Sequence, residues 1–180
     1  MAKPKIASDW MAGCAGCHMS LLDIDERIIK IAELADIRAT PITDLKEPDE
    51  SGVDVGILEG GVNNTSNEEV AHRMRKRCKL LVAFGDCAVF GGVPALRNFF
   101  TLEESLRRAY VETESTDAEG KIPQDPELCK PTRVRALQDV VPVDLFVPGC
   151  PPDPEVIYYV LSELAQGRKP VLEGDKLHWH

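Results

Sequence analysis

Short apolar segments alternate with amphipathic segments along most of this chain, and that alternation permits few folds. Five segments have the composition of strands: PKIASDW, DIRATPIT, VDVGILEGG, KLLVAFGD and VDLFVPG. The segments between them place apolar residues at helical spacing, as in SLLDIDERIIKIAELA, which we predict to be one continuous helix. Alternating strands and helices are typical of a parallel sheet covered on both faces. The sequence therefore predicts an α/β fold with a doubly wound, mostly parallel five-stranded sheet.

Two later helices carry clear boundary signals. Thr101 and Glu104 form the T-x-x-E pattern of a capping box, which predicts a helix over TLEESLRRAYV. Asp153 stands at an N-cap position with Pro154 directly after it, and Gly167 follows the last apolar residue of the segment. A further helix is predicted over NEEVAHRMRKRC, which makes four in all.

A single domain is predicted over residues 1–180. This length is sufficient to bury one sizeable core, and no internal repeat indicates a second one. The strand and helix pattern lapses between residues 112 and 134, where the sequence is ETESTDAEGKIPQDPELCKPTRV. We interpret this segment as an exposed insertion.

Charge and hydropathy restrict the partners and the location of the protein. A net charge of −9 argues against nucleic acid as a partner, because a nucleic-acid-binding protein presents a basic surface. No apolar run approaches the roughly 18 residues that a membrane span requires. The N-terminal MAKPKIASDW also lacks the apolar region of a secretory signal. We therefore expect a cytoplasmic protein that binds no membrane, and in that reducing compartment its six cysteines are not expected to form structural disulfides.

Four of the cysteines follow predicted strands. Cys14 and Cys17 come after the first strand, Cys87 after the fourth and Cys150 after the fifth. The carboxyl ends of parallel strands meet at one edge of the sheet, where ligands of such folds collect. The sequence therefore predicts that these four thiols lie together at that edge.

Four thiols without a histidine suit either an iron–sulfur cluster or structural zinc. Structural zinc sites usually take two ligands from each of two short knuckles, whereas here one C-x-x-C pair and two single cysteines come from distant segments. Nearby glycines and the proline after Cys150 also resemble cluster-binding loops. We favour a cluster and keep zinc as an alternative. A thioredoxin-like dithiol would leave Cys87 and Cys150 without a role.

The other two cysteines are interpreted as structural. Cys78 stands in line with Val70 and Met74 on the apolar side of its predicted helix, so we expect a buried core thiol. Cys129 lies in the predicted insertion and is interpreted as a bystander. Two spare thiols cannot bind a second four-cysteine cluster, so one cluster is the most that the chain can hold.

The motifs WMAGCAGCHMS, ILEGG, GDCAVFGGVPALRN and VPGCPPDPEVI together resemble the small subunit of NiFe hydrogenases. The similarity is greatest to the short type found in soluble, NAD-reducing, bidirectional hydrogenases, and it extends from about residue 5 to residue 168. The chain also resembles the cluster-bearing subunit of respiratory complex I (NADH:ubiquinone oxidoreductase). That subunit has adjacent cysteines in its first motif, whereas C-A-G-C separates them by two residues.

The resemblance implies that Cys14, Cys17, Cys87 and Cys150 bind one 4Fe–4S cluster at the carboxyl edge of the sheet. It also implies an electron-transfer subunit, which relays electrons between the NiFe centre of a large subunit and a diaphorase module with a flavin and further iron–sulfur clusters. The overall reaction would convert H₂ and NAD⁺ to NADH and H⁺. The NiFe centre is expected on the large subunit, because this chain has only one C-x-x-C pair. FMN and NAD are likewise expected on partner subunits.

Four residues near the predicted cluster need separate interpretation. Glu59 ends the ILEGG strand and is expected near the cluster. It is either a functional carboxylate, which accepts a proton or ligates an iron in an oxidised state, or a carboxylate bonded to backbone N–H groups. Asp86, beside Cys87, has the same two interpretations. His18 is interpreted as a solvated turn residue, and Trp10 as packing over the cluster or beneath a partner subunit.

Two other functions stay open at this point. The first is a quinone-reducing cluster subunit of the complex I type, and the second is a zinc-stabilised α/β binding module. The doubly wound fold resembles flavodoxin, but the chain has neither a G-x-G-x-x-G fingerprint nor a P-loop. We therefore predict no FMN on this chain.

Overall fold

The computed structural model of the chain describes residues 3–117 and 119–177. The terminal His178 and His180, which we interpret as part of a chain end and not as a metal site, lie outside the described residues. The described residues form seven strands: β1 (Lys5–Trp10), β2 (Asp36–Ala39), β3 (Val53–Glu59), β4 (Val62–Asn64), β5 (Cys78–Phe84), β6 (Pro131–Arg135) and β7 (Leu145–Val147). They also form six α-helices: α1 (Gly16–Leu22), α2 (Arg27–Leu34), α3 (Thr65–Arg77), α4 (Asp86–Phe90), α5 (Leu102–Tyr110) and α6 (Pro154–Ala165). Short 3-10 helices cover Val93–Phe99, Leu137–Asp139 and Gly174–Leu177.

Five strands make one sheet in the order β2-β1-β3-β5-β7. Every neighbouring pair in this sheet is parallel. The order runs outward from β1 in both directions, as in flavodoxin-like folds, and the switch of direction lies between β1 and β3. The prediction of a doubly wound, parallel five-stranded sheet is confirmed.

Both faces of the sheet are covered by apolar helix faces. On one face, Ile31 of α2 and Ile157 of α6 belong to the same buried cluster as Ile57 of β3. On the other face, Met74 of α3 belongs to the same cluster as Leu58 of β3. Ile57 and Leu58 are consecutive, and successive side chains of a strand point to opposite faces. Strand β3 is therefore buried on both sides, as its nearly continuous apolar sequence predicts.

The prediction of one continuous helix over residues 20–35 is wrong. The chain forms α1 and α2 instead, and Asp25 between them has a φ of 56°. A left-handed residue of this kind cannot continue a right-handed helix. Helix α1 ends at the C-cap residue Asp23, whose backbone N–H donates a hydrogen bond to the carbonyl of Met19 at 3.2 Å. Apolar periodicity continues across the break because Ile24, in the linker, is fully buried.

Sequence patterning does not reveal α4, the 3-10 helix after it, β4 or β6. Each has seven residues or fewer, which is too short for periodicity to detect. β4 and β6 pair antiparallel, with Val62 opposite Arg135. β6 begins within the segment 112–134, and the other described residues of that segment form no helix or strand.

The helices are short as well as amphipathic. The longest in the described part of the chain, α3, has 13 residues. At 1.5 Å per residue it extends about 20 Å, whereas the hydrocarbon core of a bilayer is about 30 Å thick. Within residues 3–117 and 119–177, no helix is long and apolar enough to cross a membrane.

The packing of β3 against both helix layers leads to a stability prediction. Leu58 is fully buried, so Leu58→Ala should lower the free energy of unfolding by about 2–5 kcal/mol through lost burial and a residual cavity. Leu128 is 51% exposed, so Leu128→Ala should change that free energy by less than about 0.5 kcal/mol. Urea unfolding of the full chain measures both changes. Equal effects of the two substitutions would contradict the assignment of Leu58 to the core.

Candidate metal centre

The ends of β1, β5 and β7 each lead into a segment that carries cysteine. Cys14 lies in the turn after β1 and is exposed, whereas Cys17 lies in the first turn of α1 and is buried. Cys87 is the second residue of α4, directly after β5, and is half-buried. Cys150 follows β7 and is exposed. The four residues therefore lie at the carboxyl edge of one parallel sheet, on segments that the sheet topology brings together.

The thiols of these segments lie close enough for their charges to interact. Burial raises the pKa of Cys17, and the negative charges of Glu59, Cys87 and Cys14 raise it further. Burial likewise raises the pKa of Cys87, a backbone N–H of Val93 lowers it, and the charges of Cys150 and Cys14 raise it. The charges of Cys14, Cys87 and Cys150 therefore each raise the pKa of Cys17 or of Cys87. Four thiolates so arranged repel one another, and a bound cation or cationic cluster would remove that repulsion.

Two glycines allow the backbone to approach the thiols closely. Gly85 joins β5 to α4 with a φ of 81°, and a Cβ at this position would overlap the Sγ of Cys17. Gly92 has a φ of 50°, and its Cβ would lie 2.9 Å from both the Cα and the Sγ of Cys87. Only glycine fits either position without a shift of the neighbouring thiol.

Hydrogen bonds hold the Cys150 segment against the Cys87 segment. The backbone N–H of Gly149 donates to the Oδ1 of Asp86 at 2.7 Å, and the N–H of Asp86 donates to the carbonyl of Gly149 at 2.9 Å. The hydroxyl of Ser20, on α1, donates to the carbonyl of Pro152 at 2.7 Å. Cys150 therefore lies in a loop that is bonded on one side to α4 and on the other to α1. In this structure Asp86 acts as a backbone-bonded carboxylate.

The Cys14 segment is held against the end of β3. The N–H of Met11 donates to the carbonyl of Glu59 at 2.8 Å. Ala12 and Gly61 exchange two backbone hydrogen bonds, of 3.0 Å and 2.8 Å. The N–H of Gly16 then donates to the Sγ of Cys14 at 3.4 Å. These bonds fix the turn between β1 and α1 at the switch point of the sheet.

A buried network links β3, α1 and β1 beneath this turn. The Glu59 carboxylate is 2% exposed and accepts backbone N–H groups from Cys17 at 3.2 Å and His18 at 2.9 Å. The Nδ1 of His18 lies 2.5 Å from the Oε2 of Glu59, and its Nε2 lies 3.0 Å from the hydroxyl of Ser8. The ring of Trp10 meets the His18 ring edge-on, with the centroids 5.6 Å apart. Glu59 thus anchors the first turn of α1.

The hydrogen bonds to Glu59 outweigh the effect of its burial. Burial by itself raises the pKa of this carboxyl, whereas the hydrogen bond from the His18 ring, the N–H groups of His18 and Cys17 and the charge of His18 lower it. The result is a lowered pKa, so Glu59 is a carboxylate at neutral pH. An ionised acceptor forms stronger hydrogen bonds than a neutral one.

The interpretation of His18 as a solvated turn residue is wrong. His18 is 1% exposed, because α1 begins at Gly16 and turns the side chain inward between Ser8 and Glu59. Ser8, also buried, was not predicted to take part in the site. The sequence does contain a signal for Ser8, because it is a polar residue at an inward-facing position of an otherwise apolar strand. A polar side chain at such a position requires a hydrogen-bond partner when it is buried.

The two remaining cysteines lie away from the site. Cys78 is 8% exposed and belongs to the apolar cluster beneath α3, as expected of a core thiol, although it is the first residue of β5 and not part of the helix. Cys129 is exposed, in the segment before β6.

The donor set suits an iron–sulfur cluster. Among residues 3–117 and 119–177, no three His, Cys, Asp or Glu side chains converge closely enough to hold one metal ion together. A four-iron cluster does not need such convergence, because each cysteine binds a different iron atom. Backbone N–H groups of Gly16 and Val93 reach the sulfurs of Cys14 and Cys87, and such bonds tune the potentials of clusters.

Residues 14–164 match the family model described as NADH ubiquinone oxidoreductase, 20 Kd subunit. The match covers most of the chain. It begins at Cys14 and extends beyond Cys150, so it includes all four cysteines of the sheet edge.

Two relatives are similar over nearly the whole chain. The delta subunit of the NAD-reducing hydrogenase HoxS of Cupriavidus necator is 39% identical over 169 residues, which cover 92% of this chain and 80% of that protein. One subunit of the F420-non-reducing hydrogenase of Methanothermobacter marburgensis is 37% identical over 177 residues, which cover 97% of this chain and 58% of that protein. The chain thus spans little more than half the length of the second relative. Both relatives are hydrogenase subunits.

Solved structures show the same fold. A chain in the crystal structure of a NAD⁺-reducing NiFe-hydrogenase in the H₂-reduced state matches with a TM-score of 0.93 and 38% identity, over 99% of this chain and 100% of that chain. A chain of the NiFeSe-hydrogenase from Dm. baculatum matches with a TM-score of 0.58 and 17% identity, a likeness that shows the fold alone.

The hydrogen bonds of Glu59 lead to a second stability prediction. Glu59→Ala leaves the buried N–H groups of Cys17 and His18 without acceptors, so it should lower the free energy of unfolding by about 3 kcal/mol. Glu69 is exposed on α3, and Glu69→Ala should have an effect below about 0.5 kcal/mol. Denaturant titration of the metal-free chain measures both. A Glu59→Ala variant as stable as Glu69→Ala would show that the network does not anchor α1.

Proposed function

This chain belongs to the family of the NADH ubiquinone oxidoreductase 20 Kd subunit, and on that premise we propose that it is the electron-transfer small subunit of a soluble NAD-reducing NiFe hydrogenase. The observation that carries the proposal is the arrangement of four thiols from three strand ends at one sheet edge, in a chain similar to hydrogenase subunits throughout. H₂ cleavage itself belongs to the large subunit in this proposal.

In the proposed site, Cys14, Cys17, Cys87 and Cys150 hold one 4Fe–4S cluster. The cluster, when bound, supplies a one-electron carrier between the NiFe centre of the large subunit and the flavin and iron–sulfur groups of a diaphorase module. Burial is the main cause of the raised pKa of Cys17, the charges of Glu59, Cys87 and Cys14 add to it, and binding of the cluster would remove the part that comes from the other thiolates.

Glu59 is a positioning residue in this proposal. Its carboxylate accepts the N–H groups of Cys17 and His18 and is bonded to the His18 ring, so it holds the turn that carries Cys14 and Cys17. Its lowered pKa favours this anchoring role over that of a proton acceptor, because a carboxylate with a lowered pKa is a weaker base and does not hold a proton at neutral pH.

The surface beside the thiols has the features of an interface with a partner subunit. Cys14 and Cys150 are exposed, and an exposed cluster would be open to water and oxidants. A group of large apolar side chains directly after Cys87 is also exposed: Phe90, Val93, Leu96, Phe99 and Phe100. Several large apolar side chains exposed within one short segment are typical of a protein interface. We propose that the hydrogenase large subunit covers it, within a cytoplasmic hetero-oligomer.

Two alternatives are disfavoured by specific features. A quinone-reducing subunit of the complex I type belongs to the same family, but its first motif has adjacent cysteines, whereas Ala15 and Gly16 separate Cys14 from Cys17 here. A zinc-stabilised binding module would need its four ligands to converge on one ion. Neither alternative accounts for the 39% identity to the delta subunit of a NAD-reducing hydrogenase, which extends over 92% of the chain.

We expect a reduced 4Fe–4S signal in low-temperature EPR of the anaerobically purified native complex after addition of H₂ or NADH. Cys87→Ser should alter or abolish that signal and lower the iron content, because it removes one ligand. Cys129→Ser, at an exposed cysteine outside the site, should leave both unchanged. Elemental analysis should also find nickel in the complex.

Three outcomes would contradict the proposal. Zinc at about one atom per chain, without iron or an EPR signal, would indicate the structural zinc site. A cluster signal in a nickel-free complex that responds to quinol and not to H₂ would indicate the complex I type. An identical signal in wild type and Cys87→Ser would refute the ligand set.

A further inference from the structure

A basic cleft lies at the sheet edge opposite the cysteines. It has a volume of about 470 Å³ and opens where β1, β3 and β5 begin, at Lys5, Val53 and Cys78. These strands are neighbours in the sheet. β3 has seven residues, so its rise places the cleft about 20 Å from the cysteine edge. None of the residues assigned to the cluster site lines this cleft.

The charge of the cleft is opposite to that of the chain. Five cationic side chains line it: Lys3, Lys5, Lys76, Arg77 and Lys79. The acidic side chains in the lining are Glu50 and Asp54, so the cationic excess is three, five minus two. The chain as a whole has a net charge of −9. A concave site of one sign concentrates ions of the other, so the ligand that fits this cleft is an anion.

A second concavity of about 420 Å³ extends the basic surface along α3. It shares Glu50, Lys76 and Arg77 with the first and adds Arg73. The basic run RMRKRCK, which from sequence is most simply a solvated helix face, is therefore divided between two environments. Lys76 and Arg77 line the cleft and Arg73 lines the second concavity, whereas Arg75 points toward Asp144 and the carbonyl of Cys78.

The cations of the cleft differ in how far they are already neutralised. Lys79 lies 2.7 Å from a carboxylate oxygen of Asp54. Arg77 lies 3.9 Å from a carboxylate oxygen of Glu47 and donates to the carbonyl of Pro48 at 2.8 Å. Within residues 3–117 and 119–177, Lys5 and Lys76 make no ion pair within 4.0 Å. Two ammonium groups with available donors therefore face a cleft that also contains Lys3.

We propose that this cleft binds a small polyvalent oxyanion of the phosphate or polyphosphate class. Its volume is in the range of small-molecule sites. Lysine ammonium groups bind phosphate as point charges and do not require the planar geometry of a bidentate arginine. Lys5 and Lys76 are the principal donors, and Arg77 and Lys79 contribute charge. The site is independent of the proposed electron relay, because it lies at the other end of the strands.

Isothermal titration calorimetry on the full chain tests the proposal, with inorganic phosphate, pyrophosphate and ADP as separate probes at constant ionic strength. Saturable binding of about one pyrophosphate per chain is expected. Lys76→Gln and Lys5→Gln should each weaken it about tenfold, the effect of about one charge-assisted hydrogen bond. Lys121→Gln, at an exposed lysine outside the cleft, should leave the affinity unchanged. Thermal unfolding of each variant confirms that it is folded.

The probes also distinguish the source of the anion. Equal affinity for pyrophosphate and ADP would indicate recognition of the phosphates alone, and tighter binding of ADP would indicate a phosphorylated metabolite; both support the proposal. Absence of saturable binding by all three probes would overturn it. Equal weakening by Lys121→Gln and Lys76→Gln would also overturn it, because the binding would then depend on the overall charge of the protein and not on the cleft. Polyglutamate serves as a fourth probe, and binding of it without binding of any oxyanion would overturn the proposal in favour of an acidic protein partner.

Discussion

The arrangement of the cysteine segments depends on one buried carboxylate. Glu59 ends the central strand β3 at the switch point of the sheet, where it accepts two backbone N–H groups from the first turn of α1 and contacts the His18 ring. His18 in turn reaches Ser8 on β1. Three elements are therefore joined at the position where the chain leaves β1 and turns back as a helix. A buried carboxylate is stable only when it accepts hydrogen bonds in this way. The carboxylate therefore depends on the N–H groups of the turn, and those N–H groups depend on the carboxylate as their acceptor.

The other cysteine segments are joined to one another by further contacts, each of which involves the backbone on at least one side. Asp86 and Gly149 exchange hydrogen bonds that join α4 to the loop of Cys150. Gly85 brings the end of β5 against the thiol of Cys17. Four thiols close enough to repel one another then occupy one edge, and the proposed cluster would relieve the repulsion that, together with burial, raises the pKa values of Cys17 and Cys87. The opposite edge is different in character, since lysine and arginine side chains are concentrated there in an otherwise acidic protein.

Much of this could be predicted from the sequence, for reasons that differ between elements. The five sheet strands are visible because burial on both faces imposes an apolar composition. The capping box at Thr101 and Glu104 is predictable because it involves only residues of the first helical turn, and the structure confirms it. The break between α1 and α2 was not predictable, because apolar periodicity continues through Ile24 while Asp25 adopts a left-handed conformation. Elements as short as α4 and β4 contain too few residues for a pattern.

By itself, the sequence determined the parallel sheet and the edge at which the four cysteines lie, because strand direction follows from alternation with helices and Cys14, Cys17, Cys87 and Cys150 all come after strands. Only the tertiary structure decided that His18 is buried and bonded to Glu59, and that the basic residues of α3 divide between Asp144 and a cleft. The physical reason is that hydrogen bonds between residues 41 positions apart depend on how helices pack on the sheet. Local sequence patterns contain no information about that packing.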